Sequence, residues 1–290
     1  MTYSEIWHRI ATSYDDGEAR AIARILIEEL FGLSYADIVC GATEQLSADD
    51  TLRLDTAVRR IEQGEPLQHV LGYADFCDNR FCVNGSVLIP RPETEWLVDE
   101  GAKLMSTTAA SSPKRILDIG TGSGCIAISL KLRLGDAYVE AWDISEEALR
   151  TAESNAQALK AEVTFRKRDA LRAENTAAHW DLIVSNPPYI CDSERSAMDD
   201  NVLLHEPHTA LFVPDDDPLR FYRAIARYAL LTLNTGGSLL FECNTRYAEA
   251  TGTMLRDMGF EEVTVSDDCF NLPRFVRGSS PSQPSPSGRA

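Results

Sequence analysis

From Arg115 to the neighbourhood of Phe275, short apolar runs alternate with stretches whose apolar residues recur at helical spacing. Arg115 to Ile119, Tyr138 to Trp142, Val163 to Phe165, Leu182 to Val184 and Leu239 to Phe241 read as buried strands, with further strands near Val263 and Phe275. Between them, Leu149, Ala152, Ala156 and Leu159 share one helix face, and Tyr222, Ile225, Ala226 and Ala229 share another. Another helix runs from the glycine loop through Leu130, and a last one surrounds Met254. Parallel strands need a long crossover, usually a helix, so the alternation predicts a parallel α/β sheet with helices on both faces.

The loops after four of these strands carry the unusual chemistry. The first is Asp118-Ile119-Gly120-Thr121-Gly122-Ser123-Gly124. Glycines let the backbone turn tightly and let a ligand approach with no Cβ in the way. Cys125 stands where the dinucleotide fingerprint needs its third glycine, so a ligand without a pyrophosphate fits better. No Lys-Ser/Thr pair closes the loop, which excludes a P-loop. Asp143 ends the second strand, where a carboxylate can accept both hydroxyls of a ribose. Asp169, followed by Ala170, comes after the third, where an acid can receive an adenine amino group. Helix capping is the plain alternative for each aspartate. Asn186-Pro187-Pro188-Tyr189 ends the fourth strand. Neither proline can donate a backbone N–H, so the ladder stops in a stiff corner presenting an amide, freed carbonyls and an aromatic ring. Alone, the corner is a strand ending in a rigid turn. Four such features on one rim of one sheet are not explained by capping and turns.

The flanking regions read differently. Ile22, Ile25, Leu26 and Leu30 fit one helix face behind possible caps Asp15 and Asp16. Leu54, Ala57, Val58 and Ile61 fit a second, announced by Ser47 and Asp50 and stopped near Gly64. Residues 1–70 are therefore expected to form a small helical domain. Residues 71–92 form a hairpin linker that includes Leu88-Ile89 as an apolar strand broken by Pro90 and Pro92. Residues 93–278 form the α/β domain, with Pro92 or Thr94 opening its first helix, and the Ser/Pro-rich residues 279–290 form a disordered tail.

The formal net charge of −17 argues against broad binding to a phosphate backbone, and the densest basic run, Arg166-Lys167-Arg168, reads equally well as a solvated strand edge. The chain lacks the run of roughly 18 apolar residues a membrane helix needs, and its first residues do not resemble a signal peptide. Seven cysteines with no Cys-x-x-Cys pair suggest free thiols, which makes the cytoplasm the expected compartment. His205 and His208 have no companion acids or cysteines that would complete a metal site, so no metal is expected. Cys125 reads as a packing residue, and no nucleophile elbow is present.

Asp-Ile-Gly-Thr-Gly-Ser-Gly, the acid after the second strand and Asn-Pro-Pro-Tyr together resemble class I S-adenosylmethionine-dependent methyltransferases that act on planar nitrogens. With the helical N-terminal domain, the connector and Leu88-Ile89-Pro90-Arg91-Pro92-Glu93-Thr94-Glu95, nearly the whole chain resembles the glutamine N5-methyltransferases of peptide-chain release factors, the HemK/PrmC family. Glu206-Pro207 with Ala210-Leu211-Phe212 is similar to that family's segment after the corner. The resemblance implies a Rossmann-like class I methyltransferase sheet. It also implies S-adenosyl-L-methionine held by Gly120, Thr121, Gly122, Ser123, Gly124, Asp143, Asp169, Ala170 and Asn186. Catalysis would rest on Asn186, Pro187 and Tyr189, with Pro188 helping to hold the substrate. The implied partner is the Gly-Gly-Gln loop of a release factor, recognised with help from the N-terminal helices, and no membrane or direct nucleic-acid contact is implied. Two stretches depart from the family: Glu242-Cys243-Asn244, where a Glu-x-Gly is usual, and Asp268 to Arg274, which is less glycine-rich. A ribosomal-protein glutamine methyltransferase and an adenine-N6 or guanine-N2 nucleic-acid methyltransferase stand as alternatives.

Overall fold

The computed structural model describes residues 1–107, 113–173 and 179–281. The chain divides into two compact units. One comprises Met1–Tyr73, Val83–Gly85 and Met198–Glu206, and the other Ala74–Cys82, Ser86–Ala197 and Pro207–Ala290. The expected linker is thus shared between the units, and a short segment after the proline corner belongs with the helices.

The first unit is built on α1 (Tyr3–Ile10), α2 (Asp16–Phe31), α3 (Tyr35–Val39), α4 (Ala48–Glu62) and α5 (Leu67–Leu71). Its helices start where the sequence supplies caps. Asp15 Oδ1 accepts the N–H groups of Gly17 and Glu18, and Ser47 Oγ accepts that of Asp50. Gly32, at φ +66°, ends α2 in the left-handed conformation that glycine adopts without strain. Ile6, Ile10, Ile22, Leu26, Ile27, Leu54, Val58 and Ile61 form a closed core, each worth about 1.5–3 kcal/mol of apolar burial. The same unit includes α9 (Asp200–His205).

Ahead of the sheet, β1 (Tyr73–Phe76) and β2 (Asn79–Cys82) pair as the expected hairpin, with Cys77 and Asp78 at positive φ in its turn. Leu88 and Ile89 form no strand. Prolines at 90 and 92 remove two ladder donors, and Ile89 is buried as irregular chain instead.

The main sheet of the second unit contains β3 (Arg115–Ile119), β4 (Tyr138–Asp143), β5 (Val163–Lys167), β6 (Trp180–Ser185), β9 (Leu233–Glu242), β10 (Glu261–Asp267) and β11 (Pro273–Ser279). A separate short pair comprises β7 (Ile190–Cys191) and β8 (Phe212–Val213). The helices are α6 (Glu95–Thr107), α7 (Cys125–Leu134), α8 (Glu146–Ala158), α10 (His208–Leu211), α11 (Arg220–Thr232) and α12 (Ala248–Asp257). The order of the main sheet is β10-β11-β9-β6-β3-β4-β5. The pairs among β5, β4, β3, β6 and β9 are parallel, as the alternation predicts. β11 runs antiparallel to both β9 and β10, so the sheet is mixed at that end.

Both faces are covered, because successive side chains on a strand point to opposite sides. Ile116, Leu182, Val184 and Leu240 pack with α6 and α7, whereas Leu117, Ile119, Ile183, Leu239 and Phe241 pack with α11 and α12. β11 reaches Ser279, and the N–H of Ser280 donates to the Gly237 carbonyl at 2.8 Å. The rest of the expected tail, residues 282–290, lies outside the described residues.

Candidate active site

In open α/β sheets a ligand crevice forms at the carboxyl ends of the strands where the strand order reverses. Here that point is β3, flanked by β4 on one side and β6 on the other. A cleft of about 350 Å³ opens there, within the roughly 300–1,000 Å³ common for small-ligand sites. Gly120, Gly122, Asp143, Asp169, Asn186 and Pro187 are among its lining residues.

The glycine loop leaves β3 with Gly120, Gly122 and Gly124 at φ +78°, +55° and +83°. These values disfavour any side chain at all three positions. A Cβ on Gly124 would also lie 2.9 Å from Ile128 Cδ1, so this glycine seats α7 close against its neighbours. Asp118 is fully buried beneath the loop, and its Oδ2 accepts the Thr121 hydroxyl at 2.6 Å. Burial raises its carboxyl to about 7, against the Thr121 and Ala127 hydrogen bonds, with the nearby Asp143 charge adding to the rise. Asn155 ties the loop to the hairpin. Its Nδ2 donates to the carbonyls of Ser123 (2.9 Å) and Cys82 (3.0 Å), and its Oδ1 accepts the Cys82 N–H at 2.7 Å.

Asp143 is held by two backbone groups: Oδ2 accepts the Gly122 N–H and Oδ1 the Ser145 N–H, both at 2.9 Å. Ser145, not Asp143, caps α8. Burial raises the Asp143 carboxyl, and its backbone hydrogen bonds oppose the rise. Each oxygen therefore keeps acceptor capacity toward the cleft, which fits a pair of vicinal hydroxyls. Asp169 does cap, since its Oδ1 accepts the Leu171 N–H at 2.9 Å, yet it also lines the cleft beside Ala170.

The proline corner follows β6 directly. Ser185 Oγ donates to the Ile119 carbonyl at 2.6 Å, joining the corner to the root of the glycine loop. Asn186 Nδ2 donates to Thr94 Oγ1 at 3.3 Å. The Thr94 hydroxyl donates to Glu242 Oε2 at 2.7 Å, and the Tyr189 hydroxyl reaches Glu242 Oε1 at 3.3 Å. Burial raises the Glu242 carboxyl against the hydrogen bonds from Thr94 and Tyr189 and the Arg274 charge. Asn244 Nδ2 donates to the Tyr189 carbonyl at 3.4 Å and to Glu194, so this departure from the family's glycine braces the far side of the corner.

Of the residues singled out in the sequence, Gly120, Gly122, Asp143, Asp169, Ala170, Asn186, Pro187 and Pro188 line the cleft. Thr121, Ser123 and Gly124 lie behind that lining: Thr121 and Ser123 are buried, and Gly124 faces α7 and α8. Tyr189 also turns away, its ring against the α11–α12 core and its hydroxyl on Glu242. The lining adds Ser86, Val87, Arg220 and Phe221, for which the sequence carries no local signal, and Leu88 and Arg168 from the proline-broken stretch and the basic run. Pro207, Ala210 and Phe212, in the stretch similar to the family's segment after the corner, line it too. The basic run is engaged by its neighbours: Arg166 pairs with Glu140 at 3.0 Å, Lys167 with Glu146 at 2.7 Å, and Arg168 covers the Trp142 ring at 4.7 Å. Burial pushes the Cys125 thiol up to about 12, consistent with a packing role.

A glycine loop, a ribose-type acid and an Asn-Pro-Pro corner on one rim of this sheet define a class I methyltransferase. The family model described as Methyltransferase small domain matches residues 95–211, and the PrmC N-terminal domain model matches residues 8–72. The catalytic domain of hMettl16 has the same fold, with a TM-score of 0.54 at 17% identity over 82% of this chain and 84% of that one. The release factor glutamine methyltransferase of Bacteroides thetaiotaomicron is 44% identical over 91% of this chain and 93% of its own. That of Flavobacterium psychrophilum is 37% identical over 92% and 94%. The chain belongs to the release factor glutamine methyltransferase family.

Proposed function

We propose that the protein methylates the side-chain amide nitrogen (N5) of the glutamine in the Gly-Gly-Gln loop of peptide-chain release factors, using S-adenosyl-L-methionine. The observation that carries this reading is the Asn186-Pro187-Pro188 corner, rigid and lining the same cleft as the glycine loop and Asp143. Bound S-adenosyl-L-methionine supplies an electrophilic sulfonium methyl. Gly120 and Gly122 would let its chain approach the backbone, Asp143 would accept its ribose hydroxyls, and Asp169 with Ala170 would border its base.

An amide nitrogen is a weak nucleophile because its lone pair is delocalised into the carbonyl. Asn186 Oδ1 and the Pro187 carbonyl accept its two N–H bonds, which aims the nitrogen at the methyl carbon and concentrates electron density on it. The new N–C bond would form as the C–S bond breaks, leaving S-adenosyl-L-homocysteine, and the surplus proton would pass from the nitrogen to solvent after transfer. No side chain needs to act as a strong base. Positioning and exclusion of water carry the catalysis. Tyr189 serves the corner from behind, through Glu242.

Residues 1–70, matched almost throughout by the PrmC N-terminal domain model, act as the recognition module for the release factor. A net charge of −17 and the engagement of Arg166 and Lys167 by acids disfavour nucleic acid as substrate. Among the described residues no helix is long and apolar enough to cross a membrane. Action on a translation factor and the free cysteines support work in the cytoplasm.

The test uses labelled methyl donor with separate pools of release factor, ribosomal protein and nucleic acid. Label should enter the release factor pool, and Asn186→Ala should lower that rate by about 10²–10³-fold, the usual scale for removing one preorganised hydrogen-bonding group. Label in another pool, or a fully active Asn186→Ala, would overturn the assignment.

A further inference from the structure

An asparagine side chain carries an acceptor at one end and donors at the other, and only one orientation suits a substrate N–H. We infer that Thr94 and Glu242 set that orientation, acting as positioning residues that force Asn186 to present its oxygen to the cleft.

The argument follows single protons. Glu242 is 1% exposed and Thr94 3% exposed, so no water competes for their hydrogen bonds. The Thr94 hydroxyl donates to Glu242 Oε2 at 2.7 Å, so its one proton is directed at Glu242. Thr94 Oγ1 is left with lone pairs alone toward its other neighbour. That neighbour is Asn186, 3.3 Å away, which must offer its NH₂ group. The amide oxygen then points the other way, into the cleft that Asn186 lines. The Tyr189 hydroxyl, 3.3 Å from Glu242 Oε1, steadies the second carboxylate oxygen.

The three residues meet through sheet register. β6 and β9 pair in parallel with Ser185 opposite Phe241, which brings the next residues, Asn186 and Glu242, side by side. Thr94 arrives from the turn ahead of α6. Its hydroxyl reaches across to β9. A threonine in this place has a use beyond starting a helix.

This inference rests on Asn186 being the clamp for the substrate amide. The experiment measures kcat and KM for release factor methylation, the Kd for S-adenosyl-L-methionine by calorimetry, and Tm, in Thr94→Val, Thr94→Ser and Glu242→Gln. Thr94→Val keeps the shape and removes the proton chain, and kcat should fall about ten-fold or more, the scale of one lost hydrogen bond. Thr94→Ser restores the hydroxyl and should recover most of the rate. Glu242→Gln can donate to Thr94, which reverses the chain and turns the Asn186 NH₂ toward the substrate; kcat should fall without a change in Kd. A loss of Tm with kcat intact would show a structural hydrogen bond only and overturn the inference, as would a Thr94→Ser as slow as Thr94→Val. If Asn186→Ala is inactive while Thr94→Val is fully active, the polarity argument fails and the clamp stands. If Asn186→Ala is itself active, the clamp fails first.

Discussion

Three acids of the helical unit and three around the cleft are treated in opposite ways. In the first unit Arg9 holds Glu62 with two hydrogen bonds of 2.7 Å and Asp55 with one of 2.8 Å, while Arg60 holds Glu65 at 2.6 and 2.7 Å. These guanidinium bonds keep all three carboxyls below their ordinary values. Around the cleft Asp118, Asp143 and Glu242 are raised, chiefly by burial, and their hydrogen-bond partners are hydroxyls and backbone N–H groups. The helical unit holds its acids with guanidinium groups, whereas the acids around the cleft are buried and held by neutral donors.

The largest expected effect lies on the cleft side. Asp143→Ala removes two hydrogen bonds from a charged acceptor, and S-adenosyl-L-methionine affinity should weaken by about 1.5–3 kcal/mol or more in calorimetry. Unchanged affinity would place Asp143 with the structural acids of the helices.

Next comes a contrast in pH dependence. Asp118 is raised in the folded state, so the stability it contributes is present below the unfolded carboxylate range and is lost as pH climbs through about 7. The Tm of Asp118→Asn relative to the unaltered protein should therefore shift in the variant's favour between pH 4 and pH 8. A pH-independent difference would mean that Asp118 ionises in place without penalty.

Arg9→Met should give the smallest effect with the opposite trend. Glu62 and Asp55 are lowered, so their contribution is present above the ordinary carboxylate range and is lost as pH falls through their depressed values. A stability deficit at neutral pH that shrinks in acid is expected, read as a difference in Tm, with the affinity for S-adenosyl-L-methionine unchanged. If the deficit grew in acid instead, the comparison between the two regions would collapse.

Local signals in the chain carried much of the architecture. Asp15 and Ser47 cap the helices they precede, and the buried residues of α4 are Leu54, Ala57, Val58 and Ile61, as their spacing requires. The parallel core of the sheet follows from alternation, because a crossover helix leaves a parallel pairing as its natural outcome. Three positive φ values at Gly120, Gly122 and Gly124 are the conformational reason for a Gly-x-Gly-x-Gly loop. Leu88-Ile89 misled because burial of apolar side chains does not require a ladder when prolines have removed its donors. The antiparallel arrival of β11 between β9 and β10 was not legible, since strand direction depends on long-range pairing.

The sequence by itself determined the chemistry on the rim: which loops bend, which acids stand after which strands, and that a proline-stiffened amide ends β6. Tertiary structure alone decided which of those groups line the cleft. It turned Thr121, Ser123 and Tyr189 away from the cleft, and it brought Arg220 and Leu88 onto it. It also placed Thr94 and Glu242, 148 residues apart in the chain, within one hydrogen bond of each other. The physical reason is that a hydrogen bond's direction depends on where the next donor's proton goes. That is fixed by sheet register and burial, which no local stretch of sequence contains.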